Sequence, residues 1–204
     1  MTPRNLFIIV EGPDNVGKTT LIQNLKNYYN DLTFHTMHYS NVRQDSPEST
    51  IAYSKHLYTQ MFDIMLNQTK YGFSGIICDR SHLGEMVYGP IYRGYDGEYV
   101  LDIEKKYSHI HSVWDNILLV TLVDNPENLI AREDGLSFST DLSKKQTEIA
   151  NFINASQKST IKHKVLINIK NHDEKKALEM NSVDLGENIK LALALDIIIK
   201  YFGG

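Results

Sequence analysis

With 204 residues, 42% of them hydrophobic and 23% charged, the chain has the composition of a water-soluble protein with one folded domain. A net charge of −4 excludes a strong overall attraction to nucleic acid or anionic lipid, and no segment has the ~20 consecutive apolar residues of a membrane span. The single cysteine, Cys78, excludes an internal disulfide and is typical of a reducing compartment, so we predict a cytoplasmic protein.

The first half of the chain begins with a strand at Leu6–Val10, where an unbroken apolar run predicts burial on both faces of a sheet. A helix follows the glycine-rich turn after this strand, because Leu21, Leu25 and Tyr28 recur at helical spacing. A second helix begins at Ser46-Pro47-Glu48, which supplies a cap, a first-turn proline and an acid. Two further strands are predicted on either side of this helix, at Thr33–Tyr39 and Ser74–Asp79.

The second half of the chain continues the same alternation. A helix capped by Asp96 is predicted to extend to Trp114, and an almost entirely apolar strand follows at Asn116–Val123. The segment Asn125-Pro126-Glu127 has the signals of another helix start, and Gly135 ends that helix. The last predicted elements are a helix from about Thr140, a strand at Lys164–Ile169 and a helix at Val183–Lys200.

Strands that alternate with helices predict βαβ units, and therefore an α/β fold whose five-stranded parallel sheet is covered by helices on both faces. We treat residues 1–204 as one domain. Ligands of such folds bind where the strands end, so the chemistry is expected just after Val10, Tyr39, Asp79 and Val123.

The segment Gly12–Thr19 matches the P-loop pattern G-x-x-x-x-G-K-[ST] completely, between a predicted strand and a predicted helix. Its glycines allow backbone N–H groups to curl around phosphate oxygens. Lys18 is expected to reach the β- and γ-phosphates, and to face solvent when no nucleotide is bound, whereas the Thr19 hydroxyl is expected to reach Mg²⁺. The predicted phosphate-binding residues are Gly12, Asn15, Val16, Gly17, Lys18, Thr19 and Thr20.

Three charged residues lie in or beside this loop in the predicted fold. Asp14 would repel a triphosphate unless it points away. It therefore either accepts a hydrogen bond from a sugar hydroxyl of a second substrate, or it faces solvent or braces the loop. Asp79, at a strand end, is predicted to hold Mg²⁺, partly through water, and Arg80 to bind a phosphate as a bidentate fork. The alternative for Asp79 and Arg80 is an ordinary ion pair at the end of the strand.

These motifs resemble a known family. The stretch Phe7–Thr20 resembles the opening of thymidylate kinases, and Asp79-Arg80 resembles their Asp-Arg-Tyr motif, with Ser81 in the place of the tyrosine. Residues 79–93 are similar to thymidylate-kinase-like proteins of bacteriophages. The resemblance covers most of the chain, from residue 6 to about residue 170.

The resemblance implies a P-loop kinase fold with the strand order 2-3-1-4-5 and a short lid at about residues 132–145. It also implies that Asp14 contacts the deoxyribose 3′-hydroxyl of the acceptor and that Arg80 grips its monophosphate. For a phage protein, the location would be the cytoplasm of the host.

Three departures from the family leave the acceptor open. The Arg-Glu-Pro-Gly segment that follows the second strand in cellular thymidylate kinases is absent, and Arg43 is the candidate for its role. The lid offers only Arg132 before Lys144 and Lys145, whereas the family lid is often rich in arginine. Ser81 also resembles the last residue of the Glu-Arg-Ser motif of deoxynucleoside kinases.

The resemblance implies transfer of the ATP γ-phosphoryl group to a deoxynucleoside 5′-monophosphate, with dTMP as the favoured acceptor. The partners are then ATP and the deoxynucleotide, the cofactor is Mg²⁺ on Thr19 and Asp79, and a homodimer stays open. The predicted catalytic residues are Lys18, Asp79, Arg80 and Arg132. The acceptor-binding candidates are Asp14, Arg43, Phe62, Arg80, Glu85 and Tyr88, although Phe62, like Tyr53 and Tyr58 on the same predicted helix, suits core packing equally well.

Two other functions stay open at this stage. A kinase of a nucleoside, of another monophosphate or of a hydroxymethylated pyrimidine in phage DNA would share the P-loop, and only the last of these would have nucleic acid as a partner. A hydroxyl acceptor would need a general base, for which the candidates are Glu11, Asp14 and Glu85. A P-loop switch without a small acceptor is the other class, but its guanine-reading motif Asn-Lys-x-Asp does not occur in the chain.

Overall fold

The computed structural model of the protein describes residues 6–28, 34–40, 44–71, 75–169, 179–181 and 196. Its strands form one sheet in the order β2-β3-β1-β4-β5-β6. Strands β1 to β5 are parallel, which confirms the predicted α/β fold and the strand order 2-3-1-4-5. The strands are β1 (Phe7–Glu11), β2 (Phe34–His38), β3 (Gly75–Asp79), β4 (Ile117–Asp124), β5 (His163–Ile169) and β6 (Glu179–Asn181).

Helices connect the strands and cover both faces of the sheet. The second helix begins where the sequence predicts, and the Ser46 hydroxyl accepts a hydrogen bond from the Ser49 backbone N–H (3.2 Å). None of the described helices is both long enough and apolar enough to cross a lipid bilayer. The helices are α1 (Lys18–Tyr28), α2 (Pro47–Tyr71), α3 (Gly84–Tyr88), α4 (Val100–Tyr107), α5 (His111–Trp114), α6 (Pro126–Ala131) and α7 (Leu142–Lys158), with a π-helical turn at Gly89–Arg93.

Several elements differ from the prediction. The single helix expected from Asp96 to Trp114 is two helices, α4 and α5, because Ile110 leaves the helical conformation at φ −91° and ψ 87°. Asp96 accepts a hydrogen bond from the Glu98 backbone N–H (2.9 Å) in a turn before α4. Helix α3, the π-helical turn and the antiparallel strand β6 were not predicted, because such short elements give no periodic pattern. The helix predicted at Val183–Lys200 lies outside the described residues except for Asp196, which is helical.

The central strand β1 is buried on both faces, as its apolar run predicts. Ile8 and Val10 pack in one hydrophobic cluster, together with Leu21 and Leu25 of α1. Phe7 and Ile9 pack in a second cluster on the other face of the sheet, with apolar side chains of α2, α4 and α5. Because successive side chains of a strand point to opposite faces, both layers of helices are anchored to β1. The P-loop that follows β1 is therefore held at a fixed place.

Phe62 is part of the second cluster and lines neither of the two cavities described below, so its prediction as an acceptor-binding residue has no support in the described residues. Its side chain is fully buried. Its ring stacks on Tyr107, with 5.1 Å between ring centroids, and packs against Trp114 and His82 at 5.5 and 5.2 Å. Residue type and helical spacing alone did not distinguish a base-stacking ring from a core ring, and the alternative of core packing is the one that the structure supports.

Replacement of Phe62 by Ala should lower the free energy of unfolding by about 3–5 kcal/mol, because it leaves a cavity between fully packed aromatic rings. Urea unfolding followed by circular dichroism measures this loss. Tyr53→Ala on the exposed side of the same helix is the matched control, and it should change the stability by no more than about 0.5 kcal/mol. Equal losses in the two variants would contradict the core assignment of Phe62.

Candidate active site

The P-loop borders a cavity of about 490 Å³ at the carboxyl ends of β1, β2 and β3, which we call the large cavity. This is the edge of the sheet at which the parallel topology predicts ligand binding. The predicted phosphate-binding residues from Asn15 to Thr20 all border it. Its remaining lining residues are Asp14, His38, Asp79, Arg80, Arg132, Asp134, Leu136 and Ile169.

The glycines of the loop are required by its backbone path. Gly12 has φ 143°, and a Cβ atom there would lie 2.3 Å from the Leu122 carbonyl oxygen of β4. Gly17 has φ 95° and Asn15 has φ 65°, both in the left-handed region that costs least for glycine and asparagine. The loop therefore has the tight curl that turns backbone N–H groups toward a bound anion.

Lys18 does not face solvent, which corrects that part of the prediction. Its side chain is buried, and its Nζ donates hydrogen bonds to the carbonyl oxygens of Gly12 (2.8 Å) and Pro13 (2.6 Å). Burial of the ammonium group, and secondarily the nearby Arg80 guanidinium, lower the pKa of Lys18 to about 8. The Lys18 ammonium group is thus held by the backbone of its own loop.

Asp14 and Arg80 form an ion pair between the P-loop and the end of β3. The Arg80 Nη2 atom lies 2.7 Å from Asp14 Oδ1, and both side chains are largely buried. Arg80 has φ 68°, an unfavourable conformation for a residue with a Cβ atom. Asp14 thus pairs with a cation at the strand end and does not face solvent, whereas its contact with a sugar hydroxyl stays a prediction.

Asp79 borders the large cavity together with Thr19, the other predicted magnesium ligand. Its Oδ2 atom lies 2.9 Å from His38 Nδ1, and its buried Oδ1 atom has no hydrogen-bond partner among the described residues. The described residues contain no group of three or more His, Cys, Asp or Glu side chains arranged to hold a metal ion. His38 was not predicted, although it ends β2 at the edge of the sheet where chemistry was expected.

Arg132 follows α6 and borders the large cavity, and its role in a lid stays a prediction. Its Nη2 atom donates to Asp124 at the end of β4, and its Nε atom donates to the Asn128 carbonyl oxygen (3.1 Å). Residues 132–141 form the connection between α6 and α7. The Asn15 side-chain amide donates to Glu133 and Ser137 in this connection, both at 3.1 Å, so the P-loop and the segment predicted as a lid are in contact.

The two lysines of the predicted lid lie on α7 and do not border the large cavity. Lys144 lies over the Tyr92 ring, with Nζ 5.6 Å from its centroid. Lys145 is fully buried and forms an ion pair with Glu148 (3.2 Å), which also accepts a hydrogen bond from the Tyr92 hydroxyl (2.5 Å). Of these three cations, Arg132 is therefore the one that borders the large cavity.

A second, narrow cavity lies on the other side of Arg80, between the P-loop, α2 and α3. Glu85 and Tyr88 border it as acceptor-binding candidates, and the Tyr88 hydroxyl is buried without a partner among the described residues. Burial raises the pKa of Glu11, which accepts a hydrogen bond from the Ser81 hydroxyl (2.6 Å). Arg43 lies outside the described residues. The lining residues are Glu11, Gly12, Tyr39, Ser40, Tyr58, Arg80, Ser81, Gly84, Glu85, Tyr88, Arg93, Phe138 and Phe152.

Comparison with known proteins supports the fold. No protein-family model matches the chain, and no curated protein sequence matches it. Among solved structures, the thymidylate kinase of Ehrlichia chaffeensis is similar with a TM-score of 0.55 and 15% identity, over 98% of this chain and 100% of that one. The YorR protein of Bacillus subtilis, solved in complex with phosphorylated GDP, is similar with a TM-score of 0.53 and 17% identity, over 96% of this chain and 95% of that one. The chain therefore has the fold of a thymidylate kinase.

The lowered pKa of Lys18 predicts that the affinity for ATP falls as the pH rises above about 8. The free protein loses the Lys18 proton there, whereas a bound triphosphate favours the charged form, so binding should take up a proton. Calorimetric titration between about pH 7 and about pH 9.5 should show the dissociation constant rising by up to about tenfold per pH unit above this pKa. Lys18→Met is the control, and its dissociation constant for ATP should not depend on pH over this range. A wild-type affinity that is constant over this range would contradict the prediction.

Proposed function

We propose that the protein transfers the γ-phosphoryl group of ATP to a deoxynucleoside 5′-monophosphate, with dTMP as the favoured acceptor. The observation that carries this proposal is the position of Arg80, which borders both the large cavity and the narrow cavity. A triphosphate in the P-loop and a monophosphate at the mouth of the narrow cavity would both approach its guanidinium group. Such a meeting point suits in-line transfer between two bound nucleotides.

Positively charged side chains would stabilise most of the negative charge on the reacting phosphates. Lys18 would exchange its two carbonyl contacts for phosphate oxygens, which favours the charged form that burial disfavours. Arg80 would hold the acceptor phosphate, and Arg132 would approach the transferred group from the end of α6. An acceptor phosphate oxygen would form a bond to the γ-phosphorus as the bond to the β,γ-bridging oxygen breaks, which yields ADP and a nucleoside diphosphate. Because the acceptor oxygen is already anionic, no strong general base is needed.

Asp79 and Thr19 fit the proposed magnesium site. The Oδ1 atom of Asp79 is buried without a partner among the described residues, and both residues border the large cavity. Mg²⁺ prefers oxygen ligands and keeps several waters, so a carboxylate, a hydroxyl and phosphate oxygens suffice for it. When bound, it would neutralise charge on the β- and γ-phosphate oxygens. His38 would hold the Asp79 carboxylate in place through its contact with Oδ2.

The similar structures support a nucleotide as the ligand. One is a thymidylate kinase, and the other was solved with phosphorylated GDP. At 15% and 17% identity they support the fold and the kind of ligand, whereas the choice of dTMP depends on the resemblance of the P-loop and of residues 79–93 to thymidylate kinases.

The decisive experiment measures ADP formation from ATP and Mg²⁺ with each of the four deoxynucleoside monophosphates, with thymidine, and with no acceptor. We expect turnover that depends on a monophosphate and is highest with dTMP. If thymidine is the one acceptor that stimulates ADP formation, the protein is a nucleoside kinase instead. If ATP is hydrolysed at a rate that no acceptor changes, the protein is a P-loop switch. Lys18→Ala should abolish the activity while circular dichroism shows an intact fold.

Replacement of Arg80 by Lys keeps the charge but loses the bidentate fork. We expect kcat/KM for dTMP to fall by about 1–3 kcal/mol of transition-state stabilisation, while the dissociation constant of ATP barely changes. Arg132→Lys is the matched control, because Arg132 borders only the large cavity and its replacement should weaken ATP binding instead. If Arg80→Lys weakens ATP binding and leaves KM for dTMP unchanged, Arg80 belongs to the donor site.

A further inference from the structure

The wall of the narrow cavity contains a carboxylate that is surrounded by hydrogen-bond donors. Glu85 on α3 is 1% exposed. Its Oε1 atom accepts from Arg93 Nη1 (2.5 Å) and from the Tyr58 hydroxyl (3.5 Å). Its Oε2 atom accepts from the hydroxyls of Tyr95 (2.5 Å) and Tyr99 (3.2 Å). These contacts join α2, α3, the π-helical turn and the segment before α4 around one acid.

This arrangement fixes what the cavity wall can offer to a ligand. Arg93 is the last residue of the π-helical turn, and Glu85 and the Tyr95 hydroxyl (3.3 Å) hold its guanidinium group at the cavity. A guanidinium group has only donors, so Arg93 selects an acceptor. The Tyr58 hydroxyl directs its hydrogen at the same Glu85 oxygen, which leaves its own oxygen as an acceptor at the cavity. The donor and the acceptor are neighbours because both contact Glu85 Oε1.

We propose that this pair reads the base of the acceptor and selects bases with a carbonyl group next to a ring N–H. Arg93 donates to the carbonyl oxygen, and the Tyr58 oxygen accepts from the ring N–H. Thymine presents this pattern with O4 and N3–H, and guanine presents it with O6 and N1–H. Cytosine and adenine present an amino group beside an unprotonated nitrogen, which places a donor against Arg93. This proposal rests on the proposed function, since it concerns the acceptor of the same reaction.

The outer wall of the narrow cavity determines whether a base can enter. The cavity holds about 30 Å³, which is the space of about one water molecule, so a base enters only when a side chain moves. Phe138 is that side chain, because it borders the cavity, is 55% exposed and lies in the connection between α6 and α7. Its ring stacks on Tyr92, with 5.0 Å between ring centroids, and packs against Tyr88 at 5.3 Å. Because none of the four Glu85 contacts described above involves Phe138, displacement of this ring would leave those contacts in place.

The experiment measures, for dTMP, dGMP, dCMP and dAMP, both binding in the presence of a non-hydrolysable ATP analogue and kcat/KM with ATP. In the wild type, kcat/KM and affinity for dTMP and dGMP should exceed those for dCMP and dAMP at least about a hundredfold, because a site built for one hydrogen-bond pattern rejects the other strongly. We call this factor the base ratio. Tyr58→Phe should lower this ratio by about tenfold or more, through weaker use of dTMP and dGMP. Arg93→Gln should also lower it, through better use of dCMP, because an amide can accept from an amino group.

Tyr107→Phe is the matched control, because this buried tyrosine donates to Asp63 (2.6 Å) and does not border the narrow cavity. It should leave the base ratio unchanged. If Arg93→Gln fails to fold, Tyr58→Phe alone tests the proposal. This variant should fold, because it removes only one oxygen atom from a buried ring.

Each outcome separates the base reading from the proposed transfer. Selective binding of dTMP and dGMP without transfer supports the base reading and overturns the proposed kinase. Transfer to all four monophosphates with similar efficiency overturns the base reading and leaves the kinase. The base reading is also overturned if none of the four binds, or if Tyr58→Phe leaves the ratio as in the wild type.

Discussion

The ion pair between Asp14 and Arg80 connects the P-loop to the end of β3, and the division of the site into two cavities depends on it. The contact is 2.7 Å long and largely buried, so it is stronger than an exposed pair. Arg80 has φ 68°, a strained conformation that costs about 1–3 kcal/mol when nothing compensates it. The Arg80 side chain borders both the large cavity and the narrow cavity. A phosphate bound at Arg80 must compete with Asp14 or share the guanidinium group with it.

The rest of the site is charged and incompletely paired, which is unusual for buried groups. Among the described residues, Asp79 Oδ1, Arg80 Nε and the Tyr88 hydroxyl are buried without partners, and all three residues border one or both cavities. Lys18 is paired only with carbonyl oxygens and has a lowered pKa. Buried polar groups without partners are costly, and they are tolerated where a ligand completes them. The unpartnered atoms include both an acceptor, Asp79 Oδ1, and donors, so a ligand that completes them must offer groups of both kinds.

Much of the site follows from short sequence patterns. The P-loop was predicted because its motif is local and its glycines are needed for the backbone path of the loop. The structure agrees at Gly12, where a Cβ atom would collide with the Leu122 carbonyl oxygen. Asp79 and Arg80 were predicted because residues after parallel strands meet at one edge of the sheet. The two roles considered for Phe62 could not be separated, because an aromatic residue on an amphipathic helix gives the same pattern whether it meets a base or the core, and the structure places it in the core. Arg93 was not predicted at all, because a π-helical turn between two short helices has no periodic signal.

The sequence by itself determined the α/β class, the five parallel strands and the identity of the anion-binding loop, because these depend on local periodicity and on residues adjacent in the chain. Only the tertiary structure decided which partner each charge has. It turned Lys18 to the carbonyl oxygens of its own loop, paired Asp14 with Arg80, and brought Arg93 and Tyr58 to one oxygen of Glu85. Those contacts join residues 5 to 66 positions apart, and their geometry is set by how the helices pack on the sheet rather than by any pattern along the chain.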